Sequence, residues 1–238
     1  DPFADLLPKA RAPEAEATAS LLRRIMLESL DYLDAHPINA ARRARGEAPA
    51  NMAWFWSPGR KPQMPSFRDL YGKSGAIISA VDVIKGIGVL GGLEVIEVPG
   101  ATGYIDTDYE AKARAGVEAL QRHDFVYVHV EAIDEVSHAG DLKLKLKAIE
   151  DFDKRLVGTF LDAFGDLSRL AVAVLPDHPV PIALRKHTRT PVPVLFRHPG
   201  VPGDGLRYSE SDALRGSVGL LEGDGVMRTL FGMEKASQ

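Results

Sequence analysis

From residue 66 onward, short apolar runs alternate with stretches whose apolar residues recur every three or four positions, and this alternation constrains the fold most. Runs at 76–80, 94–98, 125–130, 170–175 and 192–196 read as strands. Between them, 81–90, 108–122 and 142–164 read as helices, with Asp106 or Thr107 capping the second. In the third, Leu144, Ala148, Ile149, Phe152, Leu156 and Val157 supply the core face. That order implies an α/β fold, a mostly parallel sheet with helices on both faces. A last short helix is expected near 226–231.

The first 65 residues read differently. Over 14–35, Leu21, Leu22, Ile25, Met26, Leu30 and Leu33 share one helical face; Pro13 precedes it and His36-Pro37 ends it. Residues 40–46 are basic and polar, and 52–56 form an aromatic run suited to a strand. Ser57-Pro58-Gly59-Arg60-Lys61-Pro62 is a rigid, positively charged turn.

Composition excludes several classes. With 45% hydrophobic and 26% charged residues over 238 positions, the chain has the make-up of a folded domain rather than a disordered one. A formal charge of −4, with no dominant basic face, argues against nucleic acid as the main partner. Cysteine is absent, which removes disulfides and thiolate metal sites. No apolar run approaches the ~20 residues needed to span a bilayer, and no leader pattern opens the chain. A soluble cytoplasmic protein is the expectation.

Chemistry concentrates where two of the strands end. Asp134-x-x-x-His138 follows the run at 125–130, Asp177-His178 follows 170–175, and His187 lies just beyond. In an open α/β sheet, ligands bind at the carboxyl ends of the strands, so these side chains are expected on one rim. Asp134 and His138 are one helical turn apart, or on either side of a tight loop, and either arrangement lets both reach one ion. Carboxylates and imidazoles in this number are ligands for a first-row divalent cation, Mn²⁺ or Zn²⁺.

Together with other stretches, this pattern resembles the cofactor-independent phosphoglycerate mutases of the archaeal type, within the alkaline-phosphatase-like metalloenzymes. The stretches are 12–19, His36-Pro37-Ile38-Asn39, Gly59-Arg60-Lys61-Pro62, Pro65-Ser66-Phe67, 75–93 with Val83-Ile84-Lys85-Gly86, Pro99-Gly100-Ala101-Thr102-Gly103, 128–141, 175–181 and 187–193. The resemblance implies two divalent metal ions and a phosphoryl transfer that interconverts 3- and 2-phosphoglycerate through a phosphoserine. Carried over by motif, Asp134, His138 and His187 would hold one ion, and Asp177 and His178 half of the second. Lys85 would be the catalytic lysine that stabilises phosphoryl charge, and Arg60 a substrate arginine. His129 and Glu131 would support the ligands rather than bind metal.

The family's first metal-binding aspartate and its nucleophilic serine have no counterpart here; Ser57, Ser66, Ser74, Ser79 and Ser137 do not fit that place. The chain is therefore expected to be the C-terminal portion of a longer protein and inactive by itself. Residues 1–65 would be the tail of a cap domain, 66–238 the C-terminal part of the metal-binding core, and the missing N-terminal part its partner. The same ligands would serve a phosphatase or phosphotransferase acting on another small phosphorylated metabolite, such as the proposed homoserine kinases, and a metal-free structural remnant is a further alternative.

Overall fold

A computed structural model describes residues 3–57 and 59–233. The chain divides into two compact units, Asp1–Pro62 and Gln63–Gln238. Among the described residues, no helix is long and apolar enough to cross a membrane.

In the first unit, α1 (Glu16–Asp34) buries Ala19 and Met26. His36-Pro37 does more than stop it: His36 Nδ1 accepts the Ile38 N–H and Pro37 opens α2 (Pro37–Ala44), so the basic stretch is helical. Asn39 is buried and satisfied on both sides, donating to the carbonyls of Leu33 and Ala50 and accepting from Ala50 N–H. The strand expected at 52–56 does not form. Those residues are coil anchored by Ala53 N–H on Ser29 Oγ, since β-propensity without a partner strand leaves backbone groups unpaired.

The second unit opens with α3 (Phe67–Tyr71), started by a capping box between Ser66 and Asp69. Then come β1 (Gly75–Ile78), α4 (Asp82–Leu90), β2 (Glu94–Val95), α5 (Tyr109–Ala119) and β3 (Phe125–Val128). These strands make a parallel sheet in the order β2-β1-β3, with Ile78 opposite Val128. β1 is buried along its whole length, as the middle strand of a covered parallel sheet must be. The cap of α5 is Asp108, whose Oδ1 accepts from Ala111 N–H, rather than Asp106 or Thr107. Thr107 instead accepts from Thr102 N–H, closing the loop before the helix.

After β3 come α6 (Ala132–Ala139) and α7 (Leu142–Asp151), and α7 runs through a π-helical turn (Phe152–Gly158) into α8 (Thr159–Phe164). The turn keeps Leu156 in the core with Tyr109 and Ala132, and Val128, Phe152 and Val157 pack around them. β4 (Val172–Val174) and β5 (Leu195–Arg197) pair antiparallel with each other, not parallel within the main sheet. An apolar run carries no direction, and the 20 residues between these strands fold back so that Val172 faces Arg197. Two short helices, α9 (Glu210–Ala213) and α10 (Gly225–Leu230), complete the unit. Phe231, next to α10, meets Phe67 and Phe125 edge-on, which ties the chain's end to the amino end of β3.

Gly88 on α4 marks the closest approach of helix to sheet. A Cβ there would lie 2.5 Å from Cγ2 of Ile77, a residue buried in the middle strand. Gly88→Ala should therefore destabilise the chain. Overpacking of about 1–3 kcal/mol outweighs the ~1 kcal/mol that alanine gains over glycine in a helix. Urea denaturation reads the loss as a lower midpoint at unchanged slope; an unmoved midpoint would mean that the helix can slide off the sheet.

Candidate metal centre

The parallel register of β1 and β3 decides what stands on the rim. One residue past each strand, Ser79 Oγ lies 3.2 Å from His129 Nδ1 and accepts from Val81 N–H. On its other side, His129 Nε2 stands 3.4 Å from Glu131. Burial lowers the affinity of His129 for a proton, so a neutral ring joins these two groups.

Glu131 then begins α6, which carries both residues of the Asp-x-x-x-His pattern. Ala132, Val136 and Ser137 take the buried side, which leaves Asp134 and His138 together on a half-buried face. Asp134 Oδ2 is 3.3 Å from His138 Nε2. The helix ends at Gly140 in a left-handed conformation (φ 75°), and Asp141 caps α7 directly after it.

The loop from Pro176 to Thr188 brings in the other imidazoles. Thr188 N–H donates to Pro179 C=O across 3.1 Å, and Leu184 and Arg185 N–H both donate to Pro181 C=O. Lys145 Nζ, from α7, holds the Val180 carbonyl at 2.9 Å. These bonds close the loop, so His178 and His187 stack with ring centroids 3.7 Å apart despite the intervening chain. His187 Nε2 is 3.5 Å from Asp134 Oδ1 and 3.0 Å from His138 Nε2. His178 Nδ1 is 3.9 Å from the same Asp134 oxygen. Asp177 is more exposed; its Oδ1 accepts the His178 N–H and its Oδ2 lies 3.3 Å from His178 Nε2.

The donor set fits a cation. Asp134 Oδ1 and His178 Nδ1 are buried and have no hydrogen-bond partner. One ligand atom each from Asp134, His178 and His187 falls within 4.8 Å of the others. Unpaired buried acceptors are costly, and a positive charge between them removes the cost. Glu131 feels the same deficit: burial, then the charges of Asp134, Glu135 and Asp177, hold its carboxyl above the usual range.

A cleft of about 180 Å³ opens beside these groups, lined on one side by Val81, Val83 and Ile84 and on the other by His129, Asp134, His178 and His187. Lys85, the next residue of α4, does not point its ammonium at the ligands; Nζ forms bonds of 2.9 and 2.7 Å to the two Glu97 carboxylate oxygens. Arg60 is exposed on coil in the first unit. The structure thus gathers Asp134, His138, Asp177, His178 and His187, and leaves Lys85 in an ion pair at the cleft's shoulder.

Sequence reading missed Lys112. It is fully buried on α5 and donates to the His129 carbonyl at 3.2 Å, directly behind the strand end. Its helical phase held the clue, because Tyr109, Lys112, Ala113, Gly116 and Ala119 form one buried face. Burial pushes the ammonium down to about 8, opposed by attraction to Glu131. Between that value and about 10.4, that of a free lysine, the unfolded chain keeps a proton the folded chain has released. The stability of the wild type relative to Lys112→Met should thus be flat below about pH 7 and rise from pH 8 to pH 10, as urea denaturation at each pH would read. A difference that stays constant or falls with pH would contradict the burial of a charged ammonium.

Comparison with known proteins places this geometry in context. Residues 13–234 match the model of a family described as the metalloenzyme superfamily. A 2,3-bisphosphoglycerate-independent phosphoglycerate mutase of Methanosarcina acetivorans is 51% identical over 193 residues, 80% of this chain and 49% of that protein. A protein of the same description, numbered 2, from Methanothermobacter thermautotrophicus is 46% identical over 223 residues, 93% of this chain and 55% of its own length. Among solved structures, a Pyrococcus horikoshii protein superposes with a TM-score of 0.82 at 31% identity, covering 95% of this chain and 60% of that one. The cofactor-independent phosphoglycerate mutase of Thermoplasma acidophilum superposes with a TM-score of 0.53 at 28% identity, covering 88% and 50%. The chain spans about half the length of the curated relatives it matches.

Proposed function

The chain belongs to the metalloenzyme superfamily, and from that premise we propose that its cleft serves a two-metal phosphoryl transfer that interconverts 3- and 2-phosphoglycerate. The observation that carries this reading is the pair of buried, partnerless acceptors, Asp134 Oδ1 and His178 Nδ1, set among three converging imidazoles. The names of the relatives support the substrate.

Asp134, His138 and His187 are assigned to one ion, and Asp177 and His178 to part of the second. His178 Nδ1 is 3.9 Å from Asp134 Oδ1, so residues assigned to the two ions stand side by side. Divalent cations, Mn²⁺ in our reading, would neutralise charge on the transferring group and lower the pKa of the attacking hydroxyl. The remaining steps fall to side chains. Lys85 binds phosphoryl oxygens by exchanging Glu97 for them, an exchange that costs little because Glu97 is 73% exposed and such surface pairs are weak. Arg60 is carried over by resemblance alone as a substrate arginine, a role for which its planar fork is suited. Neither Ser79 nor Ser137 is offered as the nucleophile, since both are buried and hydrogen-bonded within the fold. The phosphoserine of this scheme belongs to a serine outside this chain, in the remaining part of the same protein. Residues 1–65 are read as the C-terminal part of a cap domain.

Three measurements test the proposal. In isothermal titration calorimetry, the chain should bind Mn²⁺ and Asp134→Ala should weaken binding by more than about tenfold, since it removes a carboxylate facing three imidazoles. With Mn²⁺ present, 3-phosphoglycerate should raise the thermal midpoint of the wild type and do so less for Lys85→Met. The chain alone should show no mutase turnover in a coupled assay. Failure to bind any divalent cation would defeat the reading, and turnover by the chain alone would overturn the placement of the serine.

A further inference from the structure

The loop that carries His187 contains an arginine that closes the turn begun at Pro181, whose carbonyl accepts its N–H. Arg185 has φ 53°, in the left-handed region, the only non-glycine residue so placed among the described residues of the second unit. A side chain there is strained, and such positions persist where their surroundings hold them. Besides closing that turn, the conformation sets the direction of one carbonyl. Arg185 C=O lies 2.9 Å from His138 Nδ1.

A carbonyl oxygen only accepts, so Nδ1 of His138 carries the hydrogen and the lone pair sits on Nε2. Nε2 is the atom that faces Asp134 Oδ2 at 3.3 Å and His187 Nε2 at 3.0 Å. The side chain of Arg185 has a seat of its own. It lies against Gly140, where a Cβ would come within 2.6 Å of Cζ and 2.8 Å of Nη2. Gly140 is the left-handed residue that ends α6, two positions after His138. The guanidinium therefore rests on the helix end that presents His138, while the carbonyl of the same residue grips the ring.

We propose that Arg185 is a positioning residue for the metal centre: its guanidinium, laid on the Gly140 turn, holds its own carbonyl on His138 Nδ1, so that Nε2 is left as the donor. This assignment rests on the reading of the cleft as a metal site, but its first consequence is visible without metal. Hydrogen bonds from the far nitrogen of a ligand imidazole fix ring tautomer and orientation, and their loss costs metal affinity about 10–100-fold.

The test uses the 238-residue chain, wild type against Arg185→Gly and Arg185→Ala. Glycine tolerates φ 53° and removes only the guanidinium, whereas alanine removes it and keeps the strain. Long-range ¹H–¹⁵N correlation of the metal-free chain should show His138 as the Nδ1–H tautomer in the wild type and as a mixture with Nε2–H in both variants. Mn²⁺ titration should then show affinity falling about tenfold or more in both, with the circular dichroism spectrum unchanged. A wild-type tautomer in Arg185→Gly overturns the proposal, as does unchanged Mn²⁺ affinity in that variant. If the wild type binds neither Mn²⁺ nor Zn²⁺, the metal reading fails by itself, and the tautomer comparison still decides whether the guanidinium holds the ring.

Discussion

Parallel pairing of β1 with β3 is the constraint from which the site follows. Parallel strands end on the same side, and the register that sets Ile78 beside Val128 brings Ser79 next to His129 at the start of two different loops. From there α4 supplies the apolar shoulder of the cleft, and α6 carries Asp134 and His138. Had β3 run the other way, Asp134 and His138 would have emerged at the aromatic end of the sheet, beside Phe67 and Phe231.

The cleft is electrostatically unfinished as a set of protein groups. Asp134, Glu135 and Asp177 all raise the proton affinity of Glu131, and Lys112, buried behind the strand end, is attracted to the same carboxylate. His138 and His187 meet nitrogen to nitrogen, an arrangement that needs either a shared proton or a positive ion. Such a surplus of acceptors is what a preorganised cation site looks like before its charge is counted.

Much of this was legible in the chain, for identifiable reasons. Asp134 and His138 could be paired from sequence because four residues make one helical turn, and a helical period needs no tertiary information. The nearness of His178 to His187 could not, since it depends on backbone bonds such as Thr188 N–H to Pro179 C=O that any residue can make. The direction of β4 and β5 was equally hidden, because alternation and burial are blind to strand polarity. Met52, Trp54 and Phe55 misled for the opposite reason: their side chains favour a strand, but pairing requires a neighbour the first unit does not provide. Arg185 escaped notice because its contribution is a carbonyl, which every residue carries.

The π-helical turn between α7 and α8 has a consequence beyond local geometry. Upstream of it, Lys145 reaches the Val180 carbonyl and so braces the histidine loop; within it, Leu156 sits in the core against Tyr109. The wider turn sets the rotational phase between those two duties. Losing one residue from 152–158 would rotate the α7 segment by ~100° relative to α8, the angle per residue of an α-helix. The core could keep its leucine or the loop its lysine, but a straightened helix could not satisfy both, so this stretch should accept substitutions far more readily than changes in length.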